Sequence, residues 1–169
     1  ERIDKVLVSV KFKDSIFKRV INKEMTYDDY LKCNQCIRIL GGYPDIELRS
    51  RGLKLLEKNS TILNSYQSSL SIEINDFYAY FNTEIDIALG EVALDYTENK
   101  IHFKNNMTWF EDYYNRVFNE DFVKYALTSL DYRNRVVSFN SLYYNDYLDH
   151  LRHYKEDALA VIANIDKGI

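Results

Sequence analysis

Two cysteines and three histidines are the side chains best suited to chemistry in this chain. Cys33-Asn34-Gln35-Cys36 is a C-x-x-C. Such a pair does redox work at the start of a helix after a strand, where the helix dipole lowers the thiol pKa. It binds zinc when a second pair or a His completes the tetrahedron. Here the surrounding pattern predicts mid-helix positions, and neither complement is nearby. Cys33 and Cys36 therefore read as two small apolar residues on a helix. Asp146, His150, His153 and Asp157 share one face of the last predicted helix, so a metal is one reading. In helical bundles, however, ligands converge from facing helices into the core. This face turns away from the apolar seam, and Asp–His pairs four apart are ordinary surface ion pairs. His102 is expected in a turn, without a partner. No metal and no cofactor is predicted.

The stretch Asp131-Tyr132-Arg133-Asn134-Arg135-Val136-Val137-Ser138-Phe139-Asn140 is a second candidate. Arg133 and Asn134, followed by a long final helix, resemble the Arg-Asn-x-x-x-His signature of the HEPN superfamily. These are all-helical domains that often cleave RNA. The resemblance covers this short motif and the helix after it. It implies that Arg133 and Asn134 position phosphate. The family's His position holds Ser138, which removes the group that titrates near neutrality and serves as acid or base. The resemblance thus implies a catalytically weak or inactive RNA-processing domain, with Arg133, Asn134 and Ser138 as its site. Read without it, Arg133 and Arg135 are surface charges and Val136-Val137 are core.

Aromatic clusters are the third candidate. The chain has 15 Tyr and 9 Phe. Adjacent tyrosines on an α-helix lie about 100° apart and cannot both face the core. At least one residue of Tyr113-Tyr114 and of Tyr143-Tyr144 is therefore expected half-exposed, with Tyr147 beside them. Exposed Tyr is enriched in binding hot spots. Tyr113, Tyr114, Tyr143, Tyr144 and Tyr147 are accordingly predicted to contact a protein partner.

The elements that must carry these residues are helices. Leu70, Ile74, Phe77, Phe81, Ile85, Leu89, Val92 and Tyr96 recur at steps of three and four, and Tyr78 and Ala88 widen the stripe. That spacing stacks side chains on one face of an α-helix. Residues 3–23 read as helix, although Lys5 to Phe12 alternates as a short strand would. Thr26 and Asp29 form a capping box for a helix over 27–40, which Gly41-Gly42 ends. Pro44 suits the first turn of a helix over 45–58. Asn59-Ser60-Thr61 is a break or a cap before the central helix, and Asn99-Lys100 is a turn. Thr108 and Glu111 suggest a second capping box for a helix over 109–118. Asn119 caps a helix over 120–139, and Ser141 caps the last. In that last helix Tyr144, Leu151, Ala158 and Ile165 lie seven apart, a heptad-like seam.

These patterns predict an all-α fold: a compact helical bundle of six to seven helices, two of them long, in one domain over 1–169. No helical-pair repeat is visible. The chain opens Glu1-Arg2-Ile3-Asp4 without Met. A leader or tag removed, or a domain cut from a longer protein, would account for that. No stretch is long and apolar enough to span a membrane, and a cytoplasmic location is expected. Tyr, Asn and Ile richness suggests an AT-rich genome, bacterial or from a mobile element.

Net charge is −4, so this domain is not expected to attract nucleic acid. No Lys or Arg lies between Lys58 and Lys100, whereas Glu73, Asp76, Glu84, Asp86, Glu91, Asp95 and Glu98 do. The central helix should have an acidic outer face, solvated or turned to a basic partner. There is no glycine-rich phosphate loop and no nucleophile with an evident base. The expected function is a non-enzymatic interaction or regulatory module, such as the effector-sensing or dimerising part of a larger regulator, acting through a protein partner or self-association.

Overall fold

The computed structural model describes residues 2–46, 58 and 65–167, with side chains of the long central helix from Leu70 onward. The described residues are mostly helical, without a strand. α1 (Arg2–Ser9) and α2 (Lys11–Ile21) are separated by a kink at Val10. α3 (Tyr27–Lys32) is followed by a 3₁₀ turn, Cys36–Arg38. Next come α4 (Ser65–Asn106), α5 (Phe110–Asn115), α6 (Glu120–Thr128) and α7 (Leu130–Asn140). α7 passes without a break through a π-helical segment, Ser141–Tyr147, into α8 (Leu148–Lys167).

α4 is the spine. Its Phe81, Ile85, Ala88, Val92 and Phe103 are buried, at most 4% exposed. They are covered mainly by the π segment and α8, and then by α7. α2 packs on α7, α1 on α8, and α3 on α6. Phe17 of α2 sits against both Phe139 and Tyr144, with ring centroids 5.6 and 5.2 Å away. Each such Phe or Val, fully buried, contributes about 1.5–3 kcal/mol. The core is therefore built on the predicted stripe, with Phe77, Leu89 and Tyr96 half-buried at its margin.

Residues 2–21 are helical throughout, apart from the kink, so the alternation in Lys5 to Phe12 is not a strand. The Thr26–Asp29 box forms in full. Thr26 Oγ1 accepts from the Asp29 N–H, and the Asp29 carboxylate accepts from the Thr26 N–H at 2.8 Å. Asn119 caps α6 by accepting from the Phe122 N–H at 3.1 Å.

Five expectations need correction. The helix over 27–40 stops at Lys32, because Cys33 turns to extended backbone and is joined to Cys36 by a disulfide. The cysteines are thus a covalent clasp across a turn. Asn99-Lys100 is no turn. α4 runs on to Asn106, and the Asn99 amide, a group that usually competes with the helix backbone, is satisfied by side chains instead. Thr108 caps nothing; buried Trp109 holds the N-cap position of α5. The helix over 120–139 breaks at Ser129, which is extended and whose Oγ accepts from the Tyr132 N–H at 3.3 Å. Ser141 continues the helix rather than capping a new one. The helix expected over 45–58 and the break at Asn59-Ser60-Thr61 lie almost wholly outside the described residues; Asp45 and Ile46 themselves are not helical.

Candidate functional site

The predicted tyrosine surface divides in two. Tyr114 is 45% exposed, with the Arg38 guanidinium 4.9 Å and the Lys100 ammonium 5.6 Å from its ring centroid. Tyr113 is buried beneath it. Tyr143, Tyr144 and Tyr147 are all buried, which corrects the expected half-exposure of one of them. The reason is the π segment. Its wider turn lets Tyr143 and Tyr144 face inward together where a regular α-helix would point one outward. Their hydroxyls serve the fold. Tyr143 donates to the Pro44 carbonyl at 2.7 Å, and Tyr147 accepts from the Ile46 N–H at 3.1 Å. Burial pushes the Tyr147 phenol up to about 12 and the Tyr143 phenol further up.

Around Arg133 and Asn134, the residue that enters a network is Arg135. Its Nε donates to Asp131 at 2.9 Å and its guanidinium to Asn99 Oδ1 at 2.9 Å. Asn99 in turn donates to Asp95 at 2.7 Å, and Ser138 donates to Asp95 at 2.6 Å. The Tyr125 hydroxyl of α6 also donates to Asp131. His102 Nε2 lies 3.3 Å from Asp131, off the hydrogen-bonding line and buried. Burial raises the Asp95 pKa against the hydrogen bonds from Ser138 and Asn99. At Asp131 burial acts upward too, but the hydrogen bonds from Arg135 and Tyr125 outweigh it and lower the pKa.

This is a clasp of α4, α6 and α7 whose acceptors are already occupied. Asn134 and Ser138 are exposed, Arg133 is half-buried with an unpartnered Nε, and the Ser138 hydroxyl is committed to Asp95. Arg135 is not a free surface charge, and Val137 is 47% exposed rather than core. A signal for the clasp existed in the sequence. Asp95, Asn99 and His102 on α4 and Asp131, Arg135 and Ser138 on α7 repeat the same four-then-three spacing, which aligns two polar ridges.

On α8, His150 lies 3.3 Å from Asp146, and His153 lies 3.8 Å from Asp149 rather than beside Asp157. His102, expected without a partner in a turn, sits on α4 beside Asp131.

The largest feature that sequence reasoning missed is the outer side of α4. Tyr80, Ile87, Leu94 and Ile101, seven apart, are 58%, 56%, 66% and 52% exposed. Between them lie exposed Thr83, Gly90 and Thr97, also seven apart. Both threonine hydroxyls donate back into their own helix, to the Ala79 and Ala93 carbonyls at 2.8 Å. This is heptad spacing, with a large apolar residue at one seam position and Thr or Gly at the other. Glu84, Glu91 and Glu98 run along one edge of it in the same seven-residue register. Asp95 is not part of that edge; it turns to α7. The helix thus has two apolar stripes on opposite sides, of which the described residues cover one.

No protein-family model, curated protein or solved structure matches the chain. The likeness to the HEPN signature therefore rests on Arg133, Asn134 and their spacing alone. No described helix is long and apolar enough to cross a membrane.

Proposed function

We propose that this chain is a non-enzymatic interaction module that receives a helix of a protein partner on the outer side of α4. The observation that carries the reading is the exposed heptad seam Tyr80, Ile87, Leu94, Ile101 beside the row Glu84, Glu91, Glu98. A partner helix with apolar residues in heptad register and Lys or Arg on the facing edge would bury the seam and neutralise the acids. A second copy of the chain would not. It has no basic residue between Lys58 and Lys100 to offer those glutamates. The partner would be a segment of a larger regulator or its target. An RNA-processing role is not adopted, because Ser138 stands where the signature has its imidazole and its hydroxyl is tied to Asp95 in the helix clasp.

The test is a fluorescence-anisotropy titration with two designed helical peptides. Both carry Leu in heptad register; one has Lys and the other Glu along the flank. The Lys-flanked peptide should bind saturably and lose affinity with added salt. Leu94→Asp should weaken it by about tenfold or more, since one buried Leu is worth roughly 2 kcal/mol. Equal binding of both peptides, or binding that Leu94→Asp leaves unchanged, overturns the proposal. So does a homodimer in light scattering that Leu94→Asp dissolves.

A further inference from the structure

Away from the α4 seam, where α2, the 3₁₀ turn and the end of α5 meet, lies a pocket of about 440 Å³. It is lined by Lys13, Asn34, Gln35, Arg38, Gly41 and Arg116. Three cations and two primary amides thus face one cavity in a chain whose net charge is −4. Among the described residues, no carboxylate is paired with Lys13, Arg38 or Arg116, although six other Lys and Arg side chains are paired.

Arg38 and Lys13 are held in place by side-chain contacts, and Arg116 by its backbone position. Arg38 donates to the Tyr114 carbonyl at 3.2 Å and to the Gly41 carbonyl at 3.1 Å, and it lies over the Tyr114 ring. Gly41 makes that placement possible: a β-carbon there would stand 2.5 Å from Arg38 Nε. That Nε is buried without a hydrogen-bond partner. Lys13, half-buried, spends one proton on the Gly42 carbonyl at 3.0 Å. Its burial and then the charges of Arg116 and Arg38 lower its pKa. Arg116 ends α5 in the left-handed conformation at φ 61°, a position where glycine is the usual terminator. Asn34 and Gln35 are fixed at the rim by the Cys33–Cys36 disulfide on either side of them.

Like charges crowded together without a counterion are electrostatically unfavourable, more so where water is partly excluded. A bound anion would reverse that. Guanidinium groups fit phosphate oxygens in pairs, an ammonium supplies a point charge, and amides donate further hydrogen bonds. We infer that this pocket is a binding site for a small molecule carrying a diphosphate group, held by Lys13, Arg38 and Arg116 with Asn34 and Gln35 at its edge. The site is separate from the α4 seam and does not depend on it. In a regulator it would be the effector site.

Isothermal titration of the whole chain at low ionic strength tests this, with inorganic pyrophosphate in one arm and ADP in the other. Saturable one-to-one binding is expected in at least one arm. Binding of both assigns recognition to the diphosphate alone. Binding of ADP only assigns it to a nucleotide. Arg116→Gly removes a cation while suiting the left-handed backbone, so the variant should keep its fold. Lys13→Met keeps the length of the stem. Each should weaken binding by about tenfold, the usual effect of losing one charge-assisted contact. Ligand should raise the thermal midpoint of the parent chain and not that of the double variant. Failure of both anions to bind overturns the inference, as does binding that neither substitution alters.

Discussion

On one side of α4, Phe81, Ile85, Ala88 and Val92 are sealed beneath α7, the π segment and α8, and Phe103 is sealed among Trp109, Tyr113 and Tyr125. On the other, Tyr80, Ile87, Leu94 and Ile101 face water. The two stripes are alike in residue type and periodicity. They differ in what lies over them. The buried one acquires aromatic neighbours, such as Tyr154 with its ring 5.6 Å from that of Phe81. Among the described residues, the outer one has a row of glutamates along its edge and no covering helix. Apolar periodicity therefore says that a helix face wants a neighbour. It does not say whether that neighbour is in the same chain.

Substitutions two residues apart separate the two sides most sharply. Val92→Asp places a carboxylate at a fully buried position and should cost about 4 kcal/mol or more, a large part of a typical domain's stability. Loss of cooperative urea unfolding would report it. Leu94→Asp should change the urea midpoint by less than about 0.5 kcal/mol equivalent, while weakening capture of the Lys-flanked peptide by about tenfold or more. If both variants unfold alike, the outer seam is part of the core and the comparison collapses.

Tyrosines repeat the contrast at smaller scale. Tyr147→Phe leaves the buried Ile46 N–H without its acceptor and should cost about 1–3 kcal/mol. Tyr80→Phe, on the exposed side, should cost close to nothing by the same denaturation. Equal effects would mean that the Tyr147 hydroxyl is not tied as described.

The smallest effect is electrostatic and lies at the rim. Hydrogen bonds from Thr26 and Arg19 hold the Asp29 carboxyl down to about 2 in the folded chain, against 3.8 for its ordinary value. The folded form therefore binds that proton less readily than the unfolded form. Its contribution is present above about pH 4 and fades as pH falls toward 2. Asp29→Asn should be less stable than the parent at pH 6, and the gap should narrow between pH 4 and pH 2. A gap independent of pH would show that Asp29 acts only as a neutral cap. Changes in the core should show no such window.

Several local features could be read directly from the sequence. The Thr26–Asp29 box, the Asn119 cap and the inner stripe of α4 depend on residues within one or two turns of each other, and short-range geometry is enough to specify them. The breaks were less legible. Ser129 interrupts a helix and Asn99 does not, although both are residues that favour caps and turns. The difference is that Asn99 finds Asp95 and Arg135, the latter from α7. The π segment, which buries Tyr143 and Tyr144 together, is likewise invisible to a count that assumes regular α-helical turns.

Sequence alone determined that the chain is helical and that a long central helix carries an inner apolar stripe, because these follow from the spacing of neighbouring side chains. Only the tertiary structure decided which tyrosines are buried, that Cys33 meets Cys36 as a disulfide, and that Lys13, Arg38 and Arg116 share one pocket. It also decided that, among the described residues, nothing packs over the second stripe of α4. Those outcomes depend on residues far apart in the chain or on how a local turn is finally wound, and both are settled when helices pack rather than when they form.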